Sequence, residues 1–211
     1  MYNSRKFDTC QGLGGPFLTI SGLETRSRIL EAAWGLVEER KTTVGVTVAE
    51  IAAAAGVSRQ LVYFHFENRA GLLAAMARHH DVESGFAERV AACEALQPAE
   101  GIEALLRVWF RYVTEILPVA RALEAAEITG EEGGAAWRDR MDSLREVFRG
   151  AAERLDRERG LGGDWTVGSA ADWIWARGHL ETWQHLVVER GWTPEEFVDR
   201  SVRSILAEVL A

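Results

Sequence analysis

Cysteine, proline and long apolar runs are all scarce in this 211-residue chain, and each scarcity excludes something. Two cysteines, Cys10 and Cys93, cannot supply a disulfide framework and fit a reducing compartment. No apolar run approaches the ~20 residues needed to cross a bilayer, which argues against an integral membrane protein. The first twenty residues lack a positively charged start followed by an apolar block, so no secretory signal is read there. Period-two alternation between turn signals is missing throughout, which leaves little for strands. There is no Gly-Lys-Ser/Thr phosphate loop, no Gly-x-Ser-x-Gly elbow and no His-Glu-x-x-His pair. The chain is therefore read as a non-enzyme without a cofactor, located in the cytoplasm.

With 47% hydrophobic and 27% charged residues the chain can bury a core. The net charge of −8 argues on its face against nucleic acid, but its distribution does not. Residues 1–20 carry a net +1 and residues 21–80 another +1, whereas residues 81–211 hold 15 basic and 25 acidic groups. A neutral to slightly basic front can meet DNA while an acidic rear points away.

Residues 1–20, with Gly-Leu-Gly-Gly-Pro, read as a flexible tail. From Ser21 onward the pattern is helical. Ser21-Gly-Leu-Glu24 matches a capping box and opens a helix with Ile29, Leu30, Ala33, Trp34 and Val37 on one face. Thr47-Val-Ala-Glu50 is a second capping box, opening a short helix to about Ala55. Gly56 stands where a left-handed residue ends a helix, and Ser58 can cap another running to about Phe64. Asn68 can cap a long alanine-rich helix to about Cys93. Further helices are expected at about 99–116, 119–128 after Pro118, 133–159, 166–190 and 194–210. The last opens on Thr193-Pro194-Glu195-Glu196, a cap followed by proline at the first helical position. The expected class is all-α: a three-helix domain over 21–80 with a motif at about 47–66, then a helical domain over 81–211.

The two short helices joined by Ala55-Gly56-Val57-Ser58 form a candidate helix-turn-helix. Ala52 and Ala55 are small enough for the helices to cross, and Ile51, Val57, Val62 and Phe66 make a miniature core. That leaves Arg59, Gln60, Leu61 and Tyr63 on the outer side. Arginine can form two hydrogen bonds to guanine, glutamine two to adenine, and leucine can pack on a thymine methyl.

Ile29-Leu-Glu-Ala-Ala, Thr47 through Phe66 and Asn68-Arg-Ala-Gly-Leu-Leu, in this order and spacing, resemble the DNA-binding domain of the TetR family over about residues 23–80. The resemblance implies a transcription regulator, a repressor that binds a palindromic operator in double-stranded DNA as a homodimer. The alternatives are an architectural or ligand-independent DNA-binding protein, and a helical enzyme sharing the front motif. The resemblance implies a phosphate contact for Thr47 and backbone contacts for His65 and Arg69, where lysine is common in place of Arg69. It places Arg59, Gln60 and Leu61 at base edges and Tyr63 at the groove. Three positions depart from the family pattern. Lys41 stands where glycine often ends the first helix, Gln60 replaces a commonly small residue, and Phe64 lacks the hydroxyl of a common tyrosine.

In the rear, Val198, Val202, Ile205, Leu206 and Val209 line one helix at three- and four-residue steps. Ile174, Leu180, Trp183 and Val187, with the small Ala171 and Gly178, line the one before. These last two helices are read as the dimer surface. Aromatic residues concentrate there too, and Trp109, Tyr112, Trp137, Phe148, Trp175 and His179 are read as bordering a site for a small apolar or aromatic effector. The acidic balance and the tryptophan faces favour a cationic compound over an anion. No metal site is expected. Neighbouring residues of His79-His80-Asp81 would point about 100° apart on a helix, and His185 with Glu189 has no third ligand in view.

Overall fold

The computed structural model describes residues 20–130 and 134–210, and every regular element among them is helical. The 1–20 tail, with Cys10, lies outside the described residues apart from Ile20. The helices are α1 (Ile20–Arg40), α2 (Val48–Ala55), α3 (Arg59–Phe66), α4 (Arg69–Glu83), α5 (Phe86–Glu94), α6 (Pro98–Thr129), α7 (Gly134–Arg159), α8 (Val167–Arg177), α9 (Leu180–Trp183) and α10 (Pro194–Leu210). A π-helical segment, Gln184–Glu189, follows α9. They form two compact units. Among the described residues, one combines those up to Ser84 with those within Ile116–Asp139, and the other combines Gly85–Glu115 with those from Arg140 onward.

In the first unit, α1 packs on α2 and α4, and α3 on α2 and α4. Ile29, Leu30, Ala33 and Val37 are buried along α1 as the three- and four-residue spacing predicts. Trp34, half-buried, stacks on His80 with ring centroids 4.1 Å apart. That contact gives one member of the His79-His80-Asp81 run a packing role, and no group of three or more metal-ligating side chains occurs among the described residues. The end of α6 meets the start of α7 closely. A Cβ on Gly134 would collide with the Glu127 backbone, and Arg138 pairs with Glu127 at 2.8 Å.

The second unit is built on aromatic contacts. Phe197 of α10 lies edge-on to Phe110 at 5.2 Å and to Trp183 at 4.9 Å. Trp109 Nε1 donates to the Gly178 carbonyl at 2.8 Å, and a Cβ on Gly178 would stand 3.1 Å from that nitrogen. Glycine is needed here for close approach. Cys93 is buried, and burial pushes its thiol above the ordinary cysteine range, as suits a small apolar packing residue.

Several boundaries differ from the sequence expectation. Ser21 is already inside α1, with its carbonyl accepting the Thr25 hydroxyl at 2.8 Å, so Ser21–Glu24 is not a capping box. α3 runs two residues further, to Phe66, because that ring is buried beneath it. The expected helix to Cys93 is two helices, broken at Ser84-Gly85, where Gly85 takes φ +61°. Conversely, α6 continues through Pro118. Proline removes one donor there, but Ile116, Val119, Ala120 and Leu123 keep the buried period unbroken, and packing outweighs the lost hydrogen bond. The expected 166–190 helix breaks at Gly178-His179, where Trp109 takes the Gly178 carbonyl. The rear stripes face inward: Val198, Val202, Ile205, Val209, Ile174, Leu180 and Trp183 are all buried within one chain, leaving Leu206 and Val187 half-buried.

Candidate nucleic-acid interface

Local sequence sets the geometry of α2 and α3. Thr47, extended at φ −98° and ψ 153°, accepts the Glu50 N–H on its Oγ1 at 3.2 Å. The Glu50 carboxylate accepts the Thr47 N–H at 2.9 Å and its hydroxyl at 2.8 Å, completing the box. Glu50 also pairs with Arg40 at 2.6 Å, and the Arg40 and Thr47 hydrogen bonds hold its carboxyl down at about 2. Gly56 ends α2 at φ +66°, and Val57 N–H returns to the Ala52 carbonyl at 2.9 Å. Ser58 Oγ accepts the Leu61 N–H at 3.2 Å and starts α3.

On α3, Val62 and Phe66 face the core. Arg59, Gln60, Tyr63 and Phe64 are exposed, the two rings at 48% and 61%. Residues one, two, five and six of an eight-residue helix share one side, so the structure presents a continuous face of donors and aromatic edges. Leu61 and His65 lie half-buried at its margins. Burial, then the Arg26 charge, lowers the His65 pKa, disfavouring the imidazolium. Its Nδ1 is shielded with no hydrogen-bond partner among the described residues. Phe64 is absent from the contact set read from sequence. Its signal was the four-residue step from Gln60.

The loop between α1 and α2 is clamped from two sides. Lys41 takes φ +55°, the left-handed conformation that glycine supplies elsewhere in this position, so the first helix still ends sharply. Arg40 Nη1 donates to the Gly45 carbonyl at 3.2 Å. Arg69 reaches back from the start of α4, donating from Nη1 to the Val46 carbonyl at 2.6 Å and from Nη2 to the Thr43 carbonyl at 2.7 Å. Arg69 is thus a brace for the segment that delivers Thr47. At the α3–α4 junction Gly71 is needed because a Cβ there would collide with the Phe66 carbonyl, and Glu67 turns the chain at φ +59°.

The six residues read as an effector wall are placed differently from one another. Trp109, Tyr112 and Phe148 are buried in the second unit, while Trp137 is buried in the first. Trp175, half-buried, donates to the Met141 carbonyl at 3.0 Å, and half-buried His179 lies edge-on to it at 5.6 Å. An open groove of about 630 Å³ in the second unit is lined by other residues, the apolar Val202, Leu206 and Leu210 and the charged Glu103, Arg107 and Asp199 among them. Arg107 and Asp199 pair with each other at 2.7 Å.

No helix among the described residues is long and apolar enough to cross a membrane. The family of bacterial regulatory proteins, tetR family, matches residues 29–76. An HTH-type transcriptional repressor, LfrR of Mycolicibacterium smegmatis, is 39% identical over 85 residues, which span 39% of this chain and 40% of that repressor. A Rhodococcus sp. protein described as a TetR-family transcriptional regulator has the same fold, with a TM-score of 0.68 at 19% identity over 89% of this chain and 99% of that one. The transcriptional regulator FadR of Bacillus subtilis, solved with stearoyl-CoA, gives a TM-score of 0.61 at 13% identity over 87% and 98%. Residues 29–76 are thus similar to the helix-turn-helix head of the tetR family of bacterial regulatory proteins, and the chain as a whole shares the all-helical fold of solved structures described as regulators of that family.

Proposed function

We propose that this chain is a ligand-responsive transcriptional repressor that binds a palindromic operator as a homodimer in the cytoplasm. The exposed α3 face carrying Arg59, Gln60, Tyr63 and Phe64 supports this reading most strongly, because it is uncovered, capped at its start and free of acidic side chains. In this reading residues 21–80 read DNA and residues 81–211 hold the effector and the dimer surface. Arg59, Gln60 and Leu61 meet base edges, Tyr63 and Phe64 line the groove, and Thr47 and His65 contact phosphates. Arg69 holds the Thr47 segment in place. LfrR, a repressor, and FadR, solved with an acyl-CoA, support repression and effector control respectively.

A single α3 reads few bases, so a two-fold pair matched to two half-sites about one helical turn, or a multiple of it, apart supplies the needed specificity. Since the apolar stripes of α8 and α10 are used within one chain, pairing falls to the half-buried faces of the same helices, with Trp173 and Leu206 on them and Trp165 just before α8. An effector releases DNA only if it prefers the conformation whose head spacing mismatches the operator. Selection of bound duplexes from a random pool tests the reading. It should return a palindrome, and a featureless pool would point to an architectural protein instead.

A further inference from the structure

Two guanidinium groups converge on one aromatic stack in the second unit. Phe86 of α5 stacks on Tyr112 of α6 with centroids 4.0 Å apart and planes 29° from parallel. The Arg89 guanidinium carbon lies 5.9 Å from the Phe86 ring centre and 5.8 Å from that of Tyr112. Arg140, at the start of the part of α7 in this unit, lies 5.7 Å from the Tyr112 centre and donates to its hydroxyl at 2.9 Å. Arg89 makes one long ion pair, Nη1 to Glu115 at 3.4 Å. Its Nε and Nη2 are shielded from solvent and have no acceptor among the described residues. Those two atoms form one edge of the guanidinium, the edge that binds both oxygens of a carboxylate side by side. The Arg89 and Glu115 side chains are 35% and 34% exposed, so solvent reaches other parts of the Arg89 side chain, and its shielded Nε–Nη2 edge takes an acid only as this side chain swings outward.

Buried donors without acceptors are costly and rare in folded proteins, and an aligned pair of them beside a second cation suits an incoming anion. We propose that Arg89, Arg140 and Tyr112 form an oxyanion subsite that takes the acid group of a small organic acid. The Nε–Nη2 edge of Arg89 binds the acid side-on, Arg140 supplies the second positive charge, and the Phe86–Tyr112 stack lies against the acid's apolar body. This rests on the reading of the rear domain as the effector domain and deepens it. It also reverses the preference for a cation drawn from the domain's acidic balance, because the charge at this cluster differs in sign from the domain sum.

The test uses the full-length protein at constant ionic strength, with benzoate and hexanoate as probes, their uncharged amides as controls, and inorganic sulfate as a bare oxyanion. Tryptophan fluorescence and thermal unfolding are read for wild type and Arg89→Met. In wild type, at least one acid should bind tenfold or more tightly than its amide and more tightly than sulfate, and Arg89→Met should abolish that difference. Without any probe, Arg89→Met should unfold about 2–4 °C higher, because it removes shielded donors that have no acceptor. Equal binding of acids and amides, sulfate binding as strong as the acids, or a lower unliganded Tm in Arg89→Met would each overturn the proposal. Operator affinity of unliganded Arg89→Met should stay within twofold of wild type. Loss of sequence-specific DNA binding in the wild type would instead overturn the regulator reading and leave the acid subsite standing.

Discussion

Replacing Arg69 by alanine separates two roles for one side chain. A phosphate contact, the role implied by family resemblance, acts through charge on DNA. The brace seen in the structure acts through two charge-assisted hydrogen bonds, 2.6 and 2.7 Å long, to the Val46 and Thr43 carbonyls. Bonds of this kind contribute roughly 1.5–3 kcal/mol each when shielded. Arg69 is an exposed residue whose hydrogen bonds are only partly buried, so about 2 kcal/mol for the pair is the reasonable figure. For a chain of this size that lowers Tm by about 4–8 °C if unfolding is cooperative. Part of the same loss appears in operator affinity as the cost of ordering the Thr47 segment, about tenfold for 1.4 kcal/mol. The slope of log affinity against log salt should stay unchanged, whereas removal of a phosphate contact lowers it by about 0.9. Differential scanning calorimetry and a salt series by fluorescence anisotropy measure the two quantities on the same variant. A slope reduced by about one with Tm unchanged would refute the brace.

Further outcomes follow from the same geometry. Arg59→Ala should relax base preference at one operator position by about 1–3 kcal/mol without altering Tm, measured with a panel of single-base operator variants. Glu50, whose carboxyl is held at about 2 against an ordinary 4.5, stabilises the head fully above pH 4.5 and loses that contribution as pH falls toward 2. Acid titration followed by circular dichroism should show this limb in wild type and a flatter one in Glu50→Gln. Gly134→Ala should destabilise by about 1–3 kcal/mol, since its Cβ has no room beside the Glu127 backbone, and urea unfolding reads it directly.

The head was legible because its determinants are local. Thr47, Ser58 and Asn68 cap helices within three residues of themselves, and Gly56 needs only its own backbone angle. What sequence could not reach depends on distant partners. The acceptors of Arg69 are backbone carbonyls 23 and 26 positions earlier, and no side-chain pattern marks a carbonyl. Pro118 reads as a stop, yet burial on both sides carries the helix through it. The stripe on α10 has the same period whether it faces its own core or a second chain, and here most of it faces the core. Tryptophans at helical spacing likewise look alike as pocket wall or packing. The indole donors of Trp109 and Trp175 are both satisfied by backbone carbonyls 69 and 34 positions away, partners that no spacing of tryptophans announces.

The central claim is that the α3 face reads a specific DNA sequence, and one ratio tests it most directly. Dissociation constants for the selected operator and for a scrambled duplex of equal length should be measured by anisotropy at a single physiological salt concentration. The account predicts a ratio of about 10³ or more in favour of the operator, collapsing toward unity when Arg59 and Gln60 are both replaced by alanine. Equal affinities for operator and scrambled DNA in the wild type would contradict it.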